Sequence, residues 1–209
     1  MKKVLLLFLL LLWGCQSGSS SYVPPAEPAE TAPPAVTEAP IPAEDTEAFL
    51  PDLETFSVDM SAYTGMKASD HHFLGTSPGE LLRCIEEGGT AVFFLGSESC
   101  SACQAMTSLV EQAAKEENVY IAYIDPYDKQ HYDFDETLNE LQSALDPWLR
   151  HGNDGEALLF FPHVLAVRGG EIVASVIGQS EDYDGSFEKA NERIDLYRSL
   201  MAEVRKDEK

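Results

Sequence analysis

The chain is poor in cations. Its 209 residues carry 14 Lys and Arg against 36 Asp and Glu, a formal net charge of -22. With no basic patch to offset phosphate repulsion, a nucleic-acid partner is excluded, and the acidic surface reads as a source of solubility near an anionic boundary. There is no internal repeat. The longest apolar run, residues 4–12, is too short for a comfortable membrane span. Cations are missing altogether between Gln16 and Asp52, where Pro, Ala, Glu and Thr dominate and large apolar residues are scarce. Such a composition cannot bury enough surface to fold, so residues 15–52 read as an extended tether. At about 3 Å per residue it would hold a domain up to about 100 Å from a bilayer. A leader with no spacing role would have the same composition.

Met1, Lys2 and Lys3 precede the apolar run as the charged start of a secretory signal, residues 1–14. Leu12, Trp13, Gly14 and Cys15 end it in a pattern that resembles the lipobox of bacterial lipoproteins, with Trp13 bulkier than that position usually carries. The resemblance implies a lipid on Cys15 and a bilayer as partner, hence an extracytoplasmic protein of the bacterial cell envelope. A plain secretory signal with an incidental cysteine is the other reading, and it gives the same compartment.

Residues 53–209 read as one domain, close to the usual size for a single core. Ser77, Pro78 and Glu80 mark a helix start by cap, first-turn proline and capping-box acid, with Leu81, Leu82 and Ile85 on its buried face. Gly88 and Gly89 stop it. The continuous apolar run 91–95 reads as a strand covered on both faces. From Cys100 onward, Cys103, Met106, Leu109, Val110 and Ala113 recur at helical spacing as far as Asn118, and a strand is expected over 119–124. Phe134, Leu138, Leu141 and Leu145 predict a third helix, with a short turn through Pro147 and Trp148. Residues 163–167 and 171–177, joined by Gly169 and Gly170, predict a hairpin. Phe187, Ala190, Ile194, Tyr197, Met201 and Val204 form the stripe of a last helix.

The chemistry sits at the second helix. Cys100, Ser101, Ala102 and Cys103 lie where the buried strand gives way to helical periodicity. A helix N-terminus has unpaired N–H groups and partial positive charge, which favour the thiolate of a cysteine placed there. The i, i+3 spacing brings two sulfurs within bonding reach. With a weak leading strand between Phe56 and Leu74, the order becomes β-α-β-α-β-α-β-β-α. This chain therefore resembles the thioredoxin superfamily over about residues 70–205. The likeness rests on the Cys-x-x-Cys pair after a buried strand, Phe161-Pro162 opening a late strand, and the hairpin around Gly169 and Gly170. It implies an α/β thioredoxin-like fold, a central mixed sheet flanked by helices. It also implies thiol–disulfide exchange with protein disulfide or dithiol substrates, with Cys100 as nucleophile and Cys103 as resolver. Pro162 would be a cis-proline facing the cysteines, Phe161 would pair with an incoming peptide, and no bound cofactor would be needed. Electrons would come from a membrane thiol relay. An ordinary trans proline on an edge strand also fits those residues.

The chain departs from the best-known members. Ser99 precedes the pair, Ser and Ala separate it, and Phe93 and Phe94 stand where a buried carboxylate is usual. No proton acceptor is obvious; Glu98 reads as solvated, and would serve as one only by folding back. The dipeptide lacks the histidine of strong oxidants, so a potential near the reducing end of about -270 to -120 mV is expected. Cys84, on the first helix, reads as a buried inert thiol, a regulatory partner for the pair being the other reading. Two rival classes remain open. One is a zinc or copper site built from the cysteine pair and His71, His72 or His163, although adjacent histidines on a strand point to opposite faces. The other is a binding module without redox use, for which the acidic, aromatic segment 125–135 would be a partner-facing loop or a solvated connection.

Overall fold

Ser77, with extended backbone, accepts the Glu80 amide at 3.3 Å and starts helix α1 (Pro78–Glu86). The capping box closes on one side only: the Glu80 carboxylate turns instead to Arg83 at 2.6 Å and to the Glu54 amide at 2.8 Å. A computed structural model describes residues 47–179 and 181–206. The expected signal peptide, Cys15 and the tether as far as residue 46 lie outside the described residues. The described chain is paired to the sheet as early as Phe49, whose amide donates to the Asn118 carbonyl at 2.9 Å, three residues ahead of the boundary read from composition.

Strand β1 (Phe73–Gly75) is the expected weak leading strand, and Phe56 bridges to its last residue. Strand β2 (Ala91–Leu95) is buried at every position, helix α2 (Ser101–Glu117) ends on Asn118 in the left-handed conformation, and strand β3 (Ile121–Ile124) follows. That strand begins two residues later than the apolar run, because Val119 is spent on the bridge to Phe49. Helix α3 (Phe134–Leu145) passes through a 3-10 turn, Asp146–Trp148, into a short hairpin of β4 (Arg150–His151) and β5 (Ala157–Leu158). Strands β6 (His163–Arg168) and β7 (Glu171–Ile177) form the expected hairpin, and helix α4 (Phe187–Ala202) ends in a 3-10 turn, Glu203–Arg205. Gly169 and Gly170 turn that hairpin with φ of 58° and 81°. A Cβ on Gly170 would also lie 2.5 Å from the Ile85 carbonyl, so the turn packs directly on the end of α1.

The five-stranded sheet runs β1-β3-β2-β6-β7, parallel from β1 through β2 and antiparallel from there. Alternation along β2 divides the core. Val92 and Phe94 pack with Val110, Ala113, Ile194, Tyr197 and Met201 of α2 and α4. Ala91, Phe93 and Leu95 pack with Leu81, Leu141 and Leu145 of α1 and α3. Each large apolar side chain so buried contributes about 1.5–3 kcal/mol. A mixed sheet with two helices on each face is the thioredoxin-like fold, as the resemblance implies. The stripe on α4 starts later than its spacing suggested: Phe187 is 64% exposed and its first fully engaged residue is Ile194. Among the described residues no helix is long and apolar enough to cross a membrane.

Candidate active site at the start of the second helix

Gly96 and Ser97 follow the carboxyl end of the central strand β2, and α2 begins with Cys100 itself as N-cap. The cap is a sulfur. Cys100 Sγ accepts the Cys103 amide at 3.2 Å, doing the work that Ser or Asp does at other helix starts. Its thiol also donates to the Phe161 carbonyl at 3.6 Å. That carbonyl belongs to the Phe161–Pro162 peptide bond, which is cis. The helix tip and the loop before β6 therefore meet at Cys100, whose sulfur lies against the Phe161 carbonyl, with Cys103 behind it on the same helix.

The two thiols differ in access. Cys100 is half-buried, whereas Cys103 has no exposed surface. Burial pushes the Cys103 thiol up to about 12, with the hydrogen bond to Cys100 adding to the rise and the Ser97 backbone opposing it. The packing around it is close: a Cβ on Gly96 would stand 3.3 Å from Cys103 Sγ and 2.4 Å from the Phe94 ring. Cys100 is thus the sulfur that a macromolecule can reach, and Cys103 is held as a neutral thiol behind it.

Two features escaped the sequence reading. Gln104 ties three segments together at the helix start: its oxygen accepts the Thr64 amide at 2.9 Å, and its nitrogen donates to the Glu98 and Ala62 carbonyls at 2.7 and 3.1 Å. The second is a buried polar chain, in which the Tyr63 and Tyr123 hydroxyls meet at 2.8 Å and Tyr123 donates to Asp125 at 3.3 Å. Burial holds the Asp125 carboxyl above the usual carboxylate range, against the pull of the Tyr127 amide and the Tyr123 hydroxyl. Tyr63 shares the core cluster of Cys103. No local pattern links Tyr63 to a residue sixty positions later, so only the fold brings them together. Glu98 is exposed, as expected.

The histidines do not converge on the sulfurs. His71 contacts the Val58 carbonyl at 3.2 Å, and His72 pairs with Glu111 at 3.0 Å. His163 stands opposite Leu95 in the β2–β6 register, so its side chain lies on the α1/α3 face, away from Cys103, and contacts the Ser175 hydroxyl at 2.8 Å. Its Nδ1 is buried without a hydrogen-bond partner, and desolvation lowers its pKa to about 4. Among the described residues no three His, Cys, Asp or Glu side chains are grouped to hold a metal ion. Cys84 is buried, and burial pushes its thiol up to about 11. The acidic segment 125–135 is folded back on itself, the Tyr132 hydroxyl meeting both the amide and the carbonyl of Asp125 at 2.9 Å.

No protein-family model matches the sequence, and no curated protein matches it either. Among solved structures the chain is similar to thioredoxins. Thioredoxin O2 of Arabidopsis thaliana in its oxidised state is 13% identical, over 66% of this chain and 98% of that one, with a TM-score of 0.39. Thioredoxin from Trypanosoma brucei brucei is 17% identical, over 68% and 98%, at 0.41. A thioredoxin variant from Halobacterium salinarum is 19% identical, over 65% and 96%, at 0.37. The fold assignment stands on the strand order and helix placement described above.

Proposed function

We propose that this thioredoxin-like protein is a thiol–disulfide oxidoreductase of the bacterial cell envelope, anchored through a lipid on Cys15 and acting on exported proteins. The observation that carries the redox reading is the placement of Cys100 Sγ, half-exposed at the cap of α2, 3.2 Å from the Cys103 amide and 3.6 Å from the Phe161 carbonyl. An anionic sulfur there receives a backbone N–H and the positive end of a 17-residue helix.

In the reducing direction the Cys100 thiolate attacks one sulfur of a client disulfide. A Cys100–client S–S bond forms, the client's own S–S bond breaks, and its second sulfur leaves as thiolate and takes a proton from water. Cys103 then gives up its proton to solvent or a nearby base and attacks Cys100 Sγ. The Cys100–Cys103 disulfide forms and the client's remaining sulfur departs, two electrons having passed to the client. Phe161 and Pro162 position the client strand, with the Phe161 backbone offered to it as a pairing edge. The reverse sequence oxidises a client dithiol. No bound cofactor takes part, and a membrane thiol relay re-reduces the pair. The tether from Cys15 to about residue 52 sets the reach of the domain.

A Cys103→Ser variant of the full chain tests this reading. It should accumulate mixed disulfides on Cys100 with exported proteins, while Cys100→Ser should accumulate none. Equal trapping by the two variants would overturn it. Cys15→Ser should lose incorporated fatty acid and leave the membrane fraction; retention of label would sink the anchor.

A further inference from the structure

Phe161 belongs to two surfaces at once. Its carbonyl faces Cys100, and its ring packs edge-on against Phe134 at 6.4 Å in the lining of a cavity of about 420 Å³. Leu138 of α3 extends the apolar lining, to which Tyr127, Leu158 and Phe160 also contribute. Those three are 66%, 37% and 40% exposed, so large apolar side chains on an otherwise acidic surface gather where the redox loop begins. The groove is built around α3 from the loop after β3 and the segment leading from β5 to Phe161.

An extended client whose cysteine reaches Cys100 must run past Phe161. In an extended strand every second side chain points the same way at a repeat of roughly 6.6 Å, so the residue that can share this groove with a cysteine at Cys100 is the one two or four positions from it. The rim chooses the charge. Asp135 lines the cavity, and Asp128 and Asp133 sit on the same segment, where Lys129 is the one Lys or Arg. Arg150 does not line the cavity; its guanidinium is laid over the Phe160 ring at 5.6 Å from its centroid. Acidic client flanks are repelled and basic ones attracted.

We propose that this groove selects clients: it takes a large apolar or aromatic side chain two or four residues from the client cysteine, in an extended segment flanked by Lys or Arg. The proposal rests on the oxidoreductase reading above. It is tested on the full chain carrying Cys103→Ser, measuring by mass spectrometry the rate at which Cys100 forms an S–S bond to a probe and expels the probe's other half as thiolate. The probes are 2-hydroxyethyl disulfide and two symmetrical peptide disulfides with Lys flanks, one with Phe two residues from the cysteine and one with Ala there. The Phe peptide should be captured about tenfold faster than the Ala peptide. Adding Tyr127→Ser and Phe160→Ser, both at exposed positions, should bring that ratio to about one. Equal rates for the two peptides while 2-hydroxyethyl disulfide reacts, or a ratio that survives the double change, would overturn the groove alone. Failure of 2-hydroxyethyl disulfide to react would overturn the redox reading, and the groove's client role with it.

Discussion

Cys84 and Cys103 are both sealed thiols on helices, one on each face of the same sheet, and burial raises both, to about 11 and about 12. Cys84 lies near the carboxyl end of α1, where the helix field disfavours an anion, with Gly89 packed against its sulfur. Cys103 lies in the first turn of α2, hydrogen-bonded to the sulfur of Cys100, which is only half-buried. Burial alone makes a cysteine inert. What separates the two sites is the neighbour and the end of the helix each occupies.

The largest expected effect comes from exchanging serine into the two sites in turn. Cys100→Ser should lower the rate of disulfide reduction by on the order of a thousandfold or more. Cys84→Ser should leave that rate within about twofold while costing about 1–3 kcal/mol in denaturant unfolding, the penalty for burying an unpaired hydroxyl. Comparable losses of rate would break the comparison.

Acid should act on the Cys84 face. His163 is held neutral, its folded pKa of about 4 lying below its ordinary 6.5, so the stability it represents is present above pH 6.5 and lost as pH falls toward 4. The loss should approach about 3 kcal/mol over that window in urea titrations. A His163→Gln variant should flatten the slope, and an unchanged slope would place the acid sensitivity elsewhere.

Alkali should act on both thiols, with opposite value for function. Their folded pKa values lie above the ordinary 9.0, so the stability of the neutral forms is complete below pH 9 and declines above it. Below that limit, decay of the Cys100 mixed disulfide should quicken by about tenfold per pH unit between 7 and 9, since only the Cys103 thiolate attacks. A flat profile in rapid-mixing experiments would mean that a local base removes the proton first, and the Tyr63–Tyr123–Asp125 chain would be the place to look. The smallest effect is at the tie: Gln104→Ala should cost about 1–2 kcal/mol by leaving the carbonyls of Ala62 and Glu98 and the Thr64 amide without their partner.

Local signals carried most of this architecture. Ser77 with Pro78 started a helix, Asn118 ended one, Gly169 with Gly170 turned a hairpin, and the break from a buried strand to helical spacing put Cys100 at a cap. Those features are written within a few residues of each other. The β4–β5 hairpin was illegible because each strand is two residues long with little buried surface, so it leaves no alternation to detect. Phe49 was hidden in a stretch whose composition is that of a tether. Gln104 and the Tyr63–Tyr123 contact depend on partners forty to sixty residues away, which spacing arguments do not reach. Phe187 fitted the α4 stripe by period, yet it stands 64% exposed at the first position of the helix, and period alone does not say where along a helix the burial begins.

The central claim is that Cys100 and Cys103 form one two-electron couple from which Cys84 is excluded. Equilibrating the full chain across a series of dithiol redox buffers, alkylating, and mapping the cysteines by peptide mass measures it directly. The account predicts a single transition in which Cys100 and Cys103 convert together, with a midpoint nearer about -270 than about -120 mV, while Cys84 stays a thiol throughout. A chain whose Cys100 and Cys103 remain separately alkylated at every potential, or in which Cys84 replaces either as the bonded sulfur, would contradict it.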